Sequence, residues 1–219
     1  WREMAKQVAH EIKNPLTPMK LSLQHLQRIY DPQNPASQEK ISQVVHSLIE
    51  QIDALTKIAN EFSHFAKMPV ENRSMIDLVP VIESIVLVFG QQSELDISFH
   101  SSLNRAELHA DKDLILRVFN NLIQNAIQSI STDDYGEISV TLDSNADHYI
   151  VEVRDNGTGI PIGLQHKIFN PNFTTKSTGT GLGLAMVKQI VELHGGKVWF
   201  ETEKGVGTCF YVQLPKKHA

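Results

Sequence analysis

Apolar residues in the first third of the chain recur every three or four positions: Val8, Ile12, Leu16, Met19, Leu23, Leu26 and Tyr30. A second series runs through Ile41, Val44, Leu48, Ile52, Leu55, Ile58, Phe62 and Phe65. That spacing draws one apolar stripe along each of two amphipathic helices. Between them, Asp31-Pro32-Gln33-Asn34-Pro35 breaks the pattern, because proline lacks an amide hydrogen and biases the preceding residue away from helix. Two long helices joined by a short turn fold back as an antiparallel hairpin. A lone hairpin cannot cover both stripes, so the pattern predicts a homodimer in which two copies form a four-helix bundle. Pro15 lies inside the first helix, where the loss of one backbone bond predicts a kink or a loosened turn.

After residue 67 the period changes. Residues 68–75 have no periodicity and include Pro69, so they read as a linker. Asp77 is placed to cap a helix through Val81, Ile82, Ile85, Val86 and Phe89, and Asp111 another through Leu114, Ile115, Val118, Leu122 and Ile127. Strand-like runs cover 96–100, 137–142, 149–155, 197–201 and 208–214. The pairs around Asn145 and around Lys204-Gly205 read as hairpins. The expected class is α+β: the helical hairpin (1–67), the linker (68–75), then an α/β sandwich (76–219) with a mixed sheet and helices on one face.

Composition narrows the function. The 219 residues suffice for one large domain or two modest ones. A formal net charge of -5 gives no basic field for nucleic acid, so no nucleic-acid partner is expected. No apolar run reaches the length of a membrane span. A helical pattern is already running at Trp1 with no cap before it, which predicts a longer parent protein whose membrane segment, if it has one, lies outside this chain. The single cysteine, Cys209, sits in a strand-like run and reads as a small buried residue.

Candidate chemistry falls in two places. His10 lies two residues from both Val8 and Ile12, about 200° around the helix from each, so its ring is expected to face solvent. A neutral imidazole nitrogen is a competent nucleophile near pH 7. Glu11 is placed to accept the ring proton, and Asn14, one turn on, to position water or a phosphoryl oxygen. The other nine histidines form no H-x-x-x-H pair or Cys-His cluster, which argues against zinc. Downstream, Asn121 and Asn125 stand four apart on one helix face with Arg117 a turn before them, a spacing at which amide oxygens can hold Mg2+. Asp155 ends a strand just before Gly157 and Gly159, where a buried carboxylate can accept from an exocyclic amine, although Asp-x-Gly-x-Gly also suits an ordinary turn. Residues through Thr180 lack apolar periodicity and read as a mobile lid. Gly179, Gly181 and Gly183 lead into a helix whose N-terminus is an anion site. The G-x-G-x-G spacing after a loop excludes a Rossmann fingerprint, and no P-loop motif is present. Gly205-Val206-Gly207-Thr208 fits a late glycine box or a hairpin turn equally well.

Together these segments resemble two-component sensor histidine kinases. His10-Glu11-Ile12-Lys13-Asn14-Pro15-Leu16-Thr17 resembles the H box, Asn121 to Asn125 the N box, Asp155-Asn156-Gly157-Thr158-Gly159 the G1 box, and Ile168 to Lys176 the F box. The resemblance runs almost end to end and is nearest to the nitrogen-regulation NtrY/NtrB type. It implies autophosphorylation of His10 from ATP, assisted by Glu11, then transfer to an aspartate of a response regulator receiver domain. It further implies a phosphatase role for Asn14, contact of Asn121 and Asn125 with Mg2+-ATP, and recognition of adenine by Asp155. Phe169, Thr175 and Lys176 would belong to the lid, and Gly179, Thr180, Gly181, Leu182, Gly183 and Thr208 to the phosphate-side boxes. The implied location is cytoplasmic, with any inner-membrane anchor outside this chain. Two departures stand out: Gln128 and Ser129 where the family commonly has a basic residue, and Asn172 where a second phenylalanine is frequent. The competing readings are an ATP-driven machine akin to gyrase, MutL and Hsp90, and a phosphatase or scaffold core that binds nucleotide poorly.

Overall fold

The computed structural model describes residues 2–29, 35–66, 72–92, 95–131, 135–171, 173–174 and 181–216, with side chains in the two N-terminal helices described for 12–28, 38–56 and 59. The chain divides into two units, Trp1–Pro69 with Pro171–Leu182, and Val70–Asn170 with Gly183–Ala219.

The first unit holds α1 (Arg2–Ile29) and α2 (Pro35–Ala66), packed against each other. Pro35, read from the sequence as part of the break, is instead the first residue of α2, where proline's fixed φ and missing donor cost nothing. Helix α1 continues through Pro15 and Pro18 without a break. The Thr17 hydroxyl donates to the Lys13 carbonyl at 3.1 Å across that turn. The hairpin leaves its stripes unsatisfied: Met19, Leu26, Ile41, Val44, Leu48 and Leu55 are only half-buried. Leu16, Leu21, Leu23, Val45, Ile49 and Ile52 are exposed, Leu21 at 61% and Ile49 at 52%.

The second unit is built on a five-stranded sheet of order β2-β4-β5-β7-β6. Its strands are β2 (Asp96–Ser101), β4 (Glu137–Ser144), β5 (His148–Asp155), β6 (Lys197–Glu203) and β7 (Gly207–Pro215). Only β2 and β4 run parallel. The hairpins predicted at Asn145 and at Lys204-Gly205 join β4 to β5 and β6 to β7; at the first, Asn145 Oδ1 accepts from the amides of Asp147 and His148. Helices α3 (Leu78–Gln92), α4 (Lys112–Ser129) and α6 (Gly183–Leu193) pack with the sheet and with one another, and α5 (Ile162–Gln165) is a single turn. Alternation along the strands explains the layers. Ile138, Val140, Leu142, Val151, Val153, Val212 and Leu214 are all buried, as are Leu114, Ile115, Val118, Leu122 and Ile123 of α4. Each such side chain contributes about 1.5–3 kcal/mol by leaving water. Their neighbours in sequence, Ser139, Arg154 and Tyr211 among them, alternate with this buried set; Tyr211 stacks on Trp199 at 5.1 Å. Cys209 is buried in β7 as expected, and burial pushes its thiol above the ordinary range.

Two short strands escaped the sequence pattern. β1 (Ser74–Asp77) pairs antiparallel with β3 (Glu107–Ala110) in a separate ribbon. Ser74 and Met75, read as linker, are thus strand, and the two residues before them are already bonded to the second unit. The Asn72 amide donates to Asp111 Oδ2 at 2.9 Å, and the Arg73 guanidinium donates to the Leu193 carbonyl at 2.9 Å. Asp77 caps α3 as predicted, its Oδ1 accepting from the Val79 amide, and it also accepts from the Ala106 amide.

Candidate functional site

Helix α4 carries the centre of the site, and its start is fixed locally. Asp111 is the N-cap, its Oδ1 accepting from the amides of Asp113 and Leu114. The same residue donates its own amide to Nε2 of His194, which is fully buried. Since that nitrogen accepts, the ring proton sits on Nδ1, 2.8 Å from the Ile190 carbonyl. Burial alone would raise the Asp111 carboxyl, but the amides of Asn72, Leu114 and Asp113 outweigh it and hold the group below its ordinary value. The ends of α4 and α6 are thereby tied to each other and to the chain entering the domain.

Further along α4, Asn121 and Asn125 are half-buried. Asn121 Nδ2 donates to the Arg117 carbonyl at 2.8 Å, which turns Oδ1 away from its own helix. That oxygen meets the start of α6: a Cβ on Gly183 would stand 2.7 Å from Asn121 Oδ1. The structure therefore brings together two segments that are 62 positions apart in sequence, the asparagine helix and the last glycine of the G-x-G-x-G run.

Asp155, 5% exposed at the end of β5, is oriented by two donors on one oxygen. Its Oδ1 accepts from Ser129 Oγ at 2.8 Å and from the Gly157 amide at 2.9 Å. The two glycines after it are demanded by neighbouring protein. A Cβ on Gly157 would lie 2.1 Å from Ser129 Oγ, and Gly159, at φ +67°, leaves room for the Glu203 carbonyl. Thr158 donates to the Ser129 carbonyl at 3.0 Å, and Gly205 donates to Thr158 at 2.9 Å. Thr208 pairs opposite Asp155 in the β5–β7 register. Its hydroxyl lies 3.0 Å from that of Thr202, whose own proton goes to the Gly207 carbonyl and which accepts from the Ile160 amide. Thr208 is thus built into the strut that holds the 155–160 loop. Phe169 is anchored on Phe200 and Phe210, with ring centroids 6.0 and 6.4 Å away.

A cavity of about 430 Å3 opens at this end of the sheet, lined by Glu137, Ser139, Arg154, Glu201 and Cys209 as well as Asp155 and Thr208; neither α4 asparagine lines it. Gly181 takes φ +66° and Leu182 is buried. Thr175, Lys176, Gly179 and Thr180, together with Asn172, lie outside the described residues. His10 and Glu11 belong to α1, but their side chains lie outside them too, whereas Asn14 is described and exposed. Ser129 and Thr202 went unassigned in the sequence; the signal for Ser129 was present only as the absence of a basic residue.

The donor chemistry suits a hard cation bound together with a polyphosphate. Among the described residues no group of three or more His, Cys, Asp or Glu gathers to hold a metal alone. Neutral amide oxygens fit Mg2+ that keeps water and phosphate oxygens as its other ligands.

Two family models match the chain: the His Kinase A (phospho-acceptor) domain over residues 1–70, and the histidine kinase-, DNA gyrase B-, and HSP90-like ATPase over 110–218. Among curated proteins, nitrogen regulation protein NtrY of Azorhizobium caulinodans is 31% identical over 204 residues, covering 90% of this chain and 26% of that protein. The signal transduction histidine-protein kinase AtoS of Escherichia coli is 33% identical over 217 residues, 97% of this chain and 34% of that protein. The solved catalytic domain of histidine kinase ThkA superposes with a TM-score of 0.60 at 34% identity, covering 66% of this chain and 98% of that domain. ThkA in complex with response regulator protein TrrA aligns over 98% of this chain and 61% of that one, with a TM-score of 0.74 at 29% identity. The chain belongs to the histidine kinase family. The resemblance drawn from its H, N and G1 boxes, including the likeness to NtrY, is borne out. It spans about a quarter to a third of the length of the two curated relatives named.

Proposed function

We propose that this chain is the catalytic core of an ATP-dependent protein-histidine kinase. One observation carries the reading: a single helix, α4, offers the Asn121 oxygen to the start of α6 and, two turns on, holds the buried carboxylate of Asp155 through Ser129. Those points are about 12 Å apart along the helix axis. One end suits phosphates and the other a purine with an exocyclic amine. Asn121 and Asn125 would hold Mg2+, which when bound neutralises charge on the polyphosphate.

His10 is the acceptor in this reading. A neutral ring nitrogen attacks the γ-phosphorus, the N–P bond forms, the bond to the bridging oxygen breaks, and ADP leaves. Glu11 takes the ring proton. Catalysis is mostly alignment and charge neutralisation. Phosphoryl transfer to an aspartate of a receiver domain follows, and exposed Asn14 positions water for the reverse, dephosphorylating role. The co-structure of the relative ThkA with a response regulator supports that partner. The unfilled apolar faces of α1 and α2 support a homodimer. No helix of the described residues is long and apolar enough to cross a membrane. The core works in the cytoplasm, where ATP is available.

Incubation with Mg2+ and γ-labelled ATP tests this directly. The protein should acquire label that is lost in acid and kept in base, and His10→Gln should abolish it while nucleotide binding persists. Label surviving in that variant would overturn the reading. ATP turnover without any label would instead support a conformational machine.

A further inference from the structure

We propose that Ser129 is a positioning residue that sets nucleobase specificity, because its hydroxyl fixes the carboxylate of Asp155. The inference rests on the reading that Asp155 faces the base. Ser129 stands where the sequence lacks the expected cation, and the structure gives it a different task.

Four contacts converge there. Ser129 Oγ lies 2.8 Å from Asp155 Oδ1 and 2.8 Å from the Ala126 carbonyl. It has one proton to give, and the carboxylate is the stronger acceptor. The Ser129 carbonyl takes the Thr158 amide, and Gly157 approaches so closely that only a missing Cβ allows the fit. The last residue of α4 is therefore clasped to the loop that follows Asp155.

The torsion that turns a carboxylate is broad and weakly restrained on its own. Donors from Ser129 and Gly157 on the same oxygen set both its rotamer and its plane. An acceptor so held can distinguish a 6-amino purine, which donates, from a 6-oxo purine, which does not. A site built to hydrogen-bond one group rejects the analogue that lacks it, provided its own polar atom cannot swing away. Asn121, Asn125 and Ser129 recur every fourth residue, so one helix surface carries the phosphate-side amides and the group that aims the base reader. Base recognition and phosphate recognition thereby share one rigid element.

Binding of Mg2+-ATP and Mg2+-inosine triphosphate, measured by calorimetry on the whole chain, separates the possibilities. Ser129→Ala removes one oxygen and leaves the helix intact. It should weaken ATP binding about tenfold while inosine triphosphate binding stays within about twofold, so the preference for ATP falls. A merely structural role would weaken both nucleotides alike, and that result would overturn the proposal. Asp155→Asn is the parallel variant. If it abolishes the preference while Ser129→Ala retains the wild-type ratio, the role of Ser129 fails and the base-reading role of Asp155 stands. If Asp155→Asn itself keeps the preference, the underlying reading fails first.

Discussion

Asp111 shows how one carboxylate can serve several elements. Its cap on α4 was legible in the sequence, because capping needs only the two or three residues that follow. Its bonds to Asn72 and His194 were not, since those partners lie 39 and 83 positions away and a local pattern carries no record of them. Asp111→Ala should cost about 1–2 kcal/mol at pH 7, read by urea unfolding. The pH dependence follows from the lowered native pKa. An unfolded aspartate titrates near pH 3.9, so this contribution is complete above about pH 4 and is lost as the pH falls through the lower folded value. Asp111→Asn should therefore flatten the acid limb of the stability curve and leave its shape above pH 6 unchanged. A wild-type acid limb retained in that variant would assign the effect to other groups. Ser129 is the opposite case. Its residue type said nothing, and only the fold brought it beneath Asp155.

Among the elements, those with a strong period were readable and those without one were not. Helices α1, α2 and α4 follow 3.6-residue stripes, and the five strands of the main sheet alternate or carry turn signals at their ends. β1 and β3 have four residues each and exist through their mutual pairing, and α5 is one turn with no buried residue. Pro35 misled because a proline that ends one helix is equally suited to begin the next. The stripes of α1 and α2 also make a prediction, since the described residues of the hairpin leave Leu23 53% exposed and Ile49 52% exposed. In a two-fold interface each substitution acts twice. Ile49→Lys should then remove about 3–6 kcal/mol of association energy and raise the dimer dissociation constant by roughly 10²–10⁴. Sedimentation across a concentration series would show monomer, with helicity by circular dichroism largely kept. A dimer of undiminished affinity would place the interface elsewhere.

At the scale of the whole molecule, the proposed reaction joins chemistry written at opposite ends of the sequence, His10 in α1 and the boxes from Asn121 to Gly183. Chelation of Mg2+ should abolish labelling of the chain, and added Mg2+ should restore it. Asn125→Ala should raise the Mg2+ needed for half-maximal labelling about tenfold, the effect of losing one contact of ~1.4 kcal/mol, without shifting the melting midpoint. Labelling that persists in chelator would remove the metal from the mechanism. Periodicity, caps and motif order were enough to define a helical hairpin, an α+β domain and the boxes that place the chain in its family, because each depends on neighbours within a turn or a strand. Which glycines exist to admit protein backbone, which carbonyl receives Thr158, and which hydroxyl aims Asp155 were decided by tertiary structure alone. Those contacts join residues 26 or more positions apart, and such a pairing becomes visible only when packing of the apolar core has brought the two segments within hydrogen-bond reach.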